Sequence, residues 1–157
     1  VDLTASDGEE QPGLARTFAS ASAVYDGEPQ SIPEARQFTR EFLTRVQAAQ
    51  GILVSAPAIG TAQLVVSELV TNVCKYAPGP CLLDLRVAGD MLMITVWDSD
   101  PALPAVLETD PTRIGQHGME IVRALCQSLN IDQEPVGKRI TARLPLSDSQ
   151  APTAPGR

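Results

Sequence analysis

Between Gln63 and Ala77 the segment QLVVSELVTNVCKYA places apolar side chains every three or four positions, with no Gly or Pro before Pro78. That spacing predicts a helix. At about 100° per residue, Val65, Val66, Leu69, Val70, Val73, Tyr76 and Ala77 form one apolar arc. Glu68, Asn72 and Lys75 stack on a line outside it. Upstream, Ile32, Ala35, Phe38, Phe42, Leu43 and Val46 mark the inner side of another helix, with Glu34, Arg36, Arg40, Glu41 and Arg45 outside. Its start, Ser31-Ile-Pro-Glu34, reads as a capping box in which Ser31 accepts from the Glu34 amide. Removing that cap is expected to cost about 1 kcal/mol. Gln50 to Thr61, which contains Ala-Pro-Ala-Ile-Gly, reads as a loop.

Further on the period changes to two. Cys81–Val87 and Met91–Asp98 alternate around Ala88-Gly89-Asp90, which predicts a hairpin. Leu83, Leu85, Val87, Leu92, Ile94 and Val96 would face the core, with Asp84, Arg86 and Thr95 outward. Leu82, Met91, Met93 and Trp97 make the other side more apolar than a solvent face, as if a further subunit covered part of it. Residues 99–117 have three prolines and no clear period, a length that suits a lid or binding loop. Gly118–Leu129 reads as a short helix with Ile121, Val122, Leu125 and Leu129 inward. Asn130–Glu134 and Lys138–Leu146 form another hairpin around Pro135-Val136-Gly137. Residues 15–26 suggest an N-terminal strand ending near Tyr25. Residues 1–14 are expected to be a disordered acidic tail and residues 147–157 a flexible one, which leaves 15–146 as a single domain. Helices segregated from hairpins imply an α+β sandwich.

Composition narrows the class. A chain of 157 residues suits one domain with a proper core. The net charge of −7 argues against non-specific binding to nucleic acid or to an anionic membrane. No apolar run is long enough to span a bilayer, and the acidic first residues lack the hydrophobic stretch of a signal peptide. Cys74, Cys81 and Cys126 have no C-x-x-C spacing, and together with His117 they lack the spacing of a zinc site. A reducing cytoplasm is the expected compartment.

The line Glu68, Asn72, Lys75 offers a carboxylate, an amide oxygen and an ammonium, which together can order a water, a divalent cation and a phosphate. The plainer alternative is the wet side of an amphipathic helix. The oxygen of Asn72 suits a hard cation such as Mg²⁺. Lys75 can meet phosphate as a point charge, and Glu68 can act as a general base toward a hydroxyl or a water. Asp98, at a strand end, can accept from the 6-amino group of adenine and would reject the carbonyl that guanine offers there. Its plainer reading is a turn-initiating Asp. Gly115 and Gly118 allow backbone amides at a helix start to cradle phosphates.

These pieces resemble, in order, the boxes of the GHKL (Bergerat-fold) ATPases and kinases. Glu68-Leu-Val-Thr-Asn72-Val-Cys-Lys75-Tyr76 resembles the N box, and Val96-Trp97-Asp98 the strand end with the adenine-reading aspartate. Gly115-Gln-His-Gly118-Met119 resembles the glycine box after the ATP lid, and Gly137 to Pro145 the closing strand. The resemblance runs from about Gly27 to Leu146 and is nearest to stand-alone bacterial anti-sigma-factor serine/threonine kinases. It implies a two-layer sandwich, with a mixed, mostly antiparallel sheet covered by helices on one face. It also implies ATP and Mg²⁺ as cofactors, Glu68 as the catalytic base, and Asn72 as the metal residue. Asn72, Lys75, Tyr76, Asp98, Gly115, Gly118 and Met119 would bind the nucleotide. The implied partner is a sigma factor or a small anti-anti-sigma-like protein, with homodimer formation common among such relatives.

The phospho-acceptor histidine of a histidine kinase would be expected in a separate helical segment, so His117 is not assigned that role. The run Asp98-Ser-Asp100-Pro101 departs from the D-x-G-x-G pattern of the superfamily. Weakened nucleotide affinity is the expected consequence, and a catalytically silent module that sequesters its partner is the alternative function.

Overall fold

The computed structural model of the chain describes residues 2–4, 17–99 and 116–147. Its elements follow the order β1 (Asp2–Thr4), β2 (Thr17–Tyr25), α1 (Ser31–Gln50), α2 (Ala56–Tyr76), β3 (Cys81–Ala88), β4 (Met91–Asp98), α3 (Gln116–Leu125), β5 (Ser128–Gln133) and β6 (Lys138–Pro145). The strands form one six-stranded sheet in the order β1-β2-β3-β4-β6-β5. Every pairing in it is antiparallel, so the parallel component of the expected mixed sheet is not found among the described residues. Helices on one face give the expected α+β two-layer sandwich.

The period-two pattern sets the sheet's inner face. Leu83, Leu85 and Val87 on β3, Leu92, Ile94 and Val96 on β4, and Ile140, Ala142 and Leu144 on β6 are all buried. Against them lie Phe42, Leu43 and Val46 of α1 and Val65, Val66, Leu69, Val70 and Val73 of α2. Burying one such Leu or Val contributes about 1.5–3 kcal/mol, so this layer supplies most of the fold's cohesion. Gly89 turns the first hairpin with φ +64, a conformation glycine adopts without strain. On the outer face, Thr95 points away from the helices as expected, yet its neighbours bury it.

Several boundaries differ from expectation, each for a local reason. The capping box does not form. Gln30 stands at the N-cap of α1 without a side-chain cap bond, and Ser31 already lies in the first turn. Asp26 organises this start instead: its Oδ1 accepts from the Glu28 N–H at 2.9 Å and from the Ser31 hydroxyl at 3.1 Å. Between them Gly27 has φ +82, and a Cβ there would collide with the backbone of Gly79. That close approach ties the entry to α1 to the exit from α2.

Helix α2 begins at Ala56, within the segment expected to be a loop. Ser55 caps it by accepting from the Ala58 N–H at 3.1 Å, and Pro57 sits in the first turn, where its missing N–H costs nothing. Helix α3 starts at Gln116 and ends at Leu125, because β5 already begins at Ser128. Its inward residues are Met119 and Val122, while Ile121 and Leu125 are exposed, contrary to the expected face. Asp2–Thr4, expected in a disordered tail, pairs with Ser20–Ser22 along the open edge of β2. The remaining tail residues, and the long connection over residues 100–115, lie outside the described residues.

No helix among the described residues is long and apolar enough to cross a membrane. Ser55→Ala is expected to lower the unfolding free energy by about 1 kcal/mol, and Asp26→Ala by about 1–2 kcal/mol through loss of both its bonds. Urea unfolding midpoints at unchanged m-value would check both.

Candidate functional site

Because the apolar arc of α2 faces the sheet, the line Glu68, Asn72, Lys75 turns toward α3. There Glu68, Asn72, Lys75 and Tyr76 line a cavity of about 240 Å³ with Thr71, Gly118 and Ile121. Five residues singled out in the sequence, Gly118 included, thus meet in one place. Asn72 is 6% exposed, so its amide sits at the cavity's base and not on an open helix face. Glu68 is half-buried and Lys75 exposed, which suits a proton-handling group inside and a phosphate-meeting cation at the rim.

Thr71 and Ile121 were missed by sequence reasoning. Thr71 belongs to the quoted helical segment, one position from the marked line, and helical spacing could have included it. Ile121 was assigned to the core, and only the phase of α3 reveals it at the cavity.

Gly118 has a specific packing role. A Cβ there would collide with a carboxylate oxygen of Glu68, so the glycine lets that flexible acid keep its place between α2 and α3. Met119, the neighbouring expected nucleotide residue, is buried in the core cluster and does not line the cavity. Gly115 lies outside the described residues.

Asp98, expected at a strand end where its carboxylate would accept from an adenine amine, has a side chain only 3% exposed. Its Oδ2 lies 2.6 Å from Nζ of Lys138, whose side chain is 2% exposed, and its Oδ1 accepts from the Lys138 N–H at 3.2 Å. The alternation of β4 and β6 puts both side chains on the helix-covered face, where an ammonium and a carboxylate must pair. Lys138 was visible in the sequence as part of the closing strand. That it meets Asp98 depends on β6 lying beside β4, which local pattern does not disclose.

The sheet end around Asp98 is electrostatically distinctive. Cys81 pairs across from Asp98 in the β3–β4 ladder. Burial, reinforced by the nearby Cys74, Asp98 and Asp26, pushes the Cys81 thiol up to about 11. Burial alone pushes Cys126 up to about 11. Tyr25, raised to about 12 chiefly by burial and then by Glu34, completes this strand-end cluster.

Among the described residues, no cluster of three or more His, Cys, Asp and Glu side chains could hold a metal by itself. The donor set nevertheless fits Mg²⁺ brought in with phosphates, because that ion keeps most of its waters and needs only one or two protein oxygens. Asn72, with Glu68 one turn away, supplies oxygens of that kind.

Residues 27–144 match the histidine kinase-like ATPase domain family, and the chain belongs to that family. Membership in an ATPase family implies ATP as the ligand. Among solved structures, the RsbU and RsbW domains of Rv1364c from Mycobacterium tuberculosis share the fold at a TM-score of 0.61 and 17% identity. That match covers 81% of this chain and 32% of the other, so the chain spans about a third of that protein's length. The histidine kinase domain of the blue-light activated kinase from Erythrobacter litoralis EL346 matches at a TM-score of 0.43 and 24% identity, over 56% of this chain and 44% of that one. No curated protein matches the sequence.

Asp98→Ala is expected to destabilise the fold by about 3–5 kcal/mol by leaving the Lys138 ammonium buried and unpaired. The neutral double variant Asp98→Asn/Lys138→Met should recover most of that loss, a contrast that guanidinium unfolding would read. For Cys81 and Cys126 the folded thiol titrates above the ordinary value of 9.0. Their stabilising contribution is therefore complete below pH about 9 and lost as pH rises toward about 11. Thermal melts of wild type against Cys126→Ala across that window would show the wild type losing stability more steeply.

Proposed function

We propose that this chain is a regulatory protein kinase of the anti-sigma type, which binds ATP with Mg²⁺ and phosphorylates a serine or threonine on a small anti-anti-sigma-like protein. The observation that carries this reading is the convergence of Glu68, Asn72 and Lys75 on one cavity closed by Gly118. Asn72 would hold Mg²⁺, which when bound neutralises phosphate charge and orients the terminal phosphoryl group. Lys75, at the rim, meets the phosphates. Glu68 accepts the proton of the incoming hydroxyl as its oxygen bonds to the γ-phosphorus, and the bond to the bridging oxygen breaks to release ADP. Asp98 is assigned to the adenine amino group.

The fold shared with a structure that contains an RsbW domain is in keeping with a protein partner. The free thiols of Cys74, Cys81 and Cys126 accord with a reducing cytoplasm. Pairing with a second copy would use the outer sheet face, where Met91, Met93 and Trp97 lie among Arg86, Arg139 and Arg143 around an open concavity.

One observation favours a second reading, a silent module that captures its partner by surface alone: Asp98 is already engaged by Lys138. The two readings separate in one experiment. Under the kinase reading, Asn72→Ala abolishes the calorimetric heat of Mg·ATP binding. Glu68→Gln keeps that binding and lowers phosphate transfer to a serine-bearing partner by about 10²–10⁴-fold. Partner capture indifferent to ATP and undiminished in Glu68→Ala would establish the silent module instead.

A further inference from the structure

The pair that complicates the base site also says how that site is regulated. Gly137 has φ +78, and a Cβ there would collide with the backbone carbonyl of Asp98. The start of β6 is thus pressed against the end of β4, and no side chain larger than hydrogen could stand between them. Lys138 follows immediately, and its backbone N–H and its ammonium each take one oxygen of Asp98, at 3.2 and 2.6 Å. Lysines are almost never buried to this degree unless paired. Here the pair sits at the strand end assigned to the base, whereas the described phosphate-side cavity is lined from α2 and α3 alone.

These two bonds leave acceptor sites on the carboxylate, but its side chain is only 3% exposed and the ammonium stands against it, so an exocyclic amine has no open approach. The ammonium is also the stronger donor, because its bond is charge-assisted and that of a neutral amine is not. We propose that Lys138 is a built-in competitor for the base-reading carboxylate. A nucleotide gains Asp98 only by displacing this ammonium, so Lys138 sets the affinity and base preference of the site. The inference rests on the nucleotide-binding reading proposed above, and it identifies Lys138 as a specificity-determining residue within it.

Displacement moves a side chain that is only 2% exposed, so the packing around it must open. Its flexible four-carbon stem can swing the ammonium away while the backbone N–H keeps its bond to Asp98. The displaced charge then becomes available to water or to a phosphate. The departure from the glycine-rich pattern after Asp98 therefore has a counterpart on the neighbouring strand, and both act against tight binding.

The test is calorimetric titration of the full chain with Mg·ATP, with adenosine and with guanosine, folding being verified by circular dichroism melts. Lys138→Met keeps the stem's bulk and removes the charge. It is expected to bind adenosine and Mg·ATP at least about tenfold tighter than wild type, since a tenfold change is only about 1.4 kcal/mol. The gain should vanish in Lys138→Met/Asp98→Asn, and guanosine should stay weak throughout. Lys138→Gln, which retains a neutral donor to Asp98, should show a smaller gain in the same direction and serves if the Met variant does not fold.

Binding by the Met variant where wild type shows none would also support the competitor role. If wild type binds Mg·ATP and neither Lys138 variant binds it more tightly, Lys138 is a structural strut; the competitor role is overturned and the nucleotide function stands. Guanosine bound by wild type and lost in Lys138→Met would overturn it differently, making Lys138 a reader of a base carbonyl. No ligand bound by any folded variant would overturn the nucleotide reading and this inference with it.

Discussion

The structure depends first on how α2 is seated. Val65, Val66, Leu69, Val70 and Val73 are buried against the sheet, and a rigid helix held by that stripe has no rotational freedom left. Glu68, Asn72 and Lys75 are therefore aimed by the core and not by contacts of their own. Residues three and four apart in a helix share a face whatever their chemistry. The packing decides which neighbour that face meets, and here it meets α3. The absence of a side chain at Gly118 then leaves room for the Glu68 carboxylate, which occupies the space a Cβ would need and which a larger residue would push aside.

The strand end obeys a different constraint. Alternation along β4 and β6 obliges Asp98 and Lys138 to point into the covered layer, alongside Val96 and Ile140. Neither charge is tolerable there alone. Together they satisfy each other, and the arrangement is locked by the close approach of Gly137 to the Asp98 backbone. The cavity is thus built from the helices α2 and α3, whereas at the strand end both members of this pair are buried, their side chains at most 3% exposed.

This division also explains what could be read from the sequence. Periodicity exposed the body of α2 from Gln63 onward and the two hairpins to within about two residues, because burial on one face leaves a pattern within a single element. It likewise showed Glu68, Asn72 and Lys75 as neighbours on one helix face, whereas it placed Tyr76, which lines the same cavity, on the apolar arc. The starts of α1 and α2 were less legible. Ser31 had the right neighbours for a cap, but Asp26 reached its hydroxyl from across a glycine turn. Ser55 with Pro57 was a true helix start concealed in a segment that looked like a loop. The Lys138 contact was not legible at all, because forty residues separate it from Asp98 and only the order β4-β6-β5 brings them together.

The kinase and silent-module readings share every element of the fold, including the cavity on α2. They differ in whether a buried ion pair outlasts the arrival of a base. Such a pair contributes little net stability, because desolvating two charges offsets most of their attraction. It is nonetheless costly to break by halves, since the partner left behind stays buried. A ligand able to replace the ammonium at Asp98 avoids that cost only if the displaced lysine also finds a partner, and the phosphates of the same ligand are the strongest anions it could bring. Under the nucleotide-binding reading, base entry and lysine release are therefore coupled, and a nucleotide with its phosphates intact would have an advantage over a bare nucleoside that does not come from the α2–α3 cavity alone.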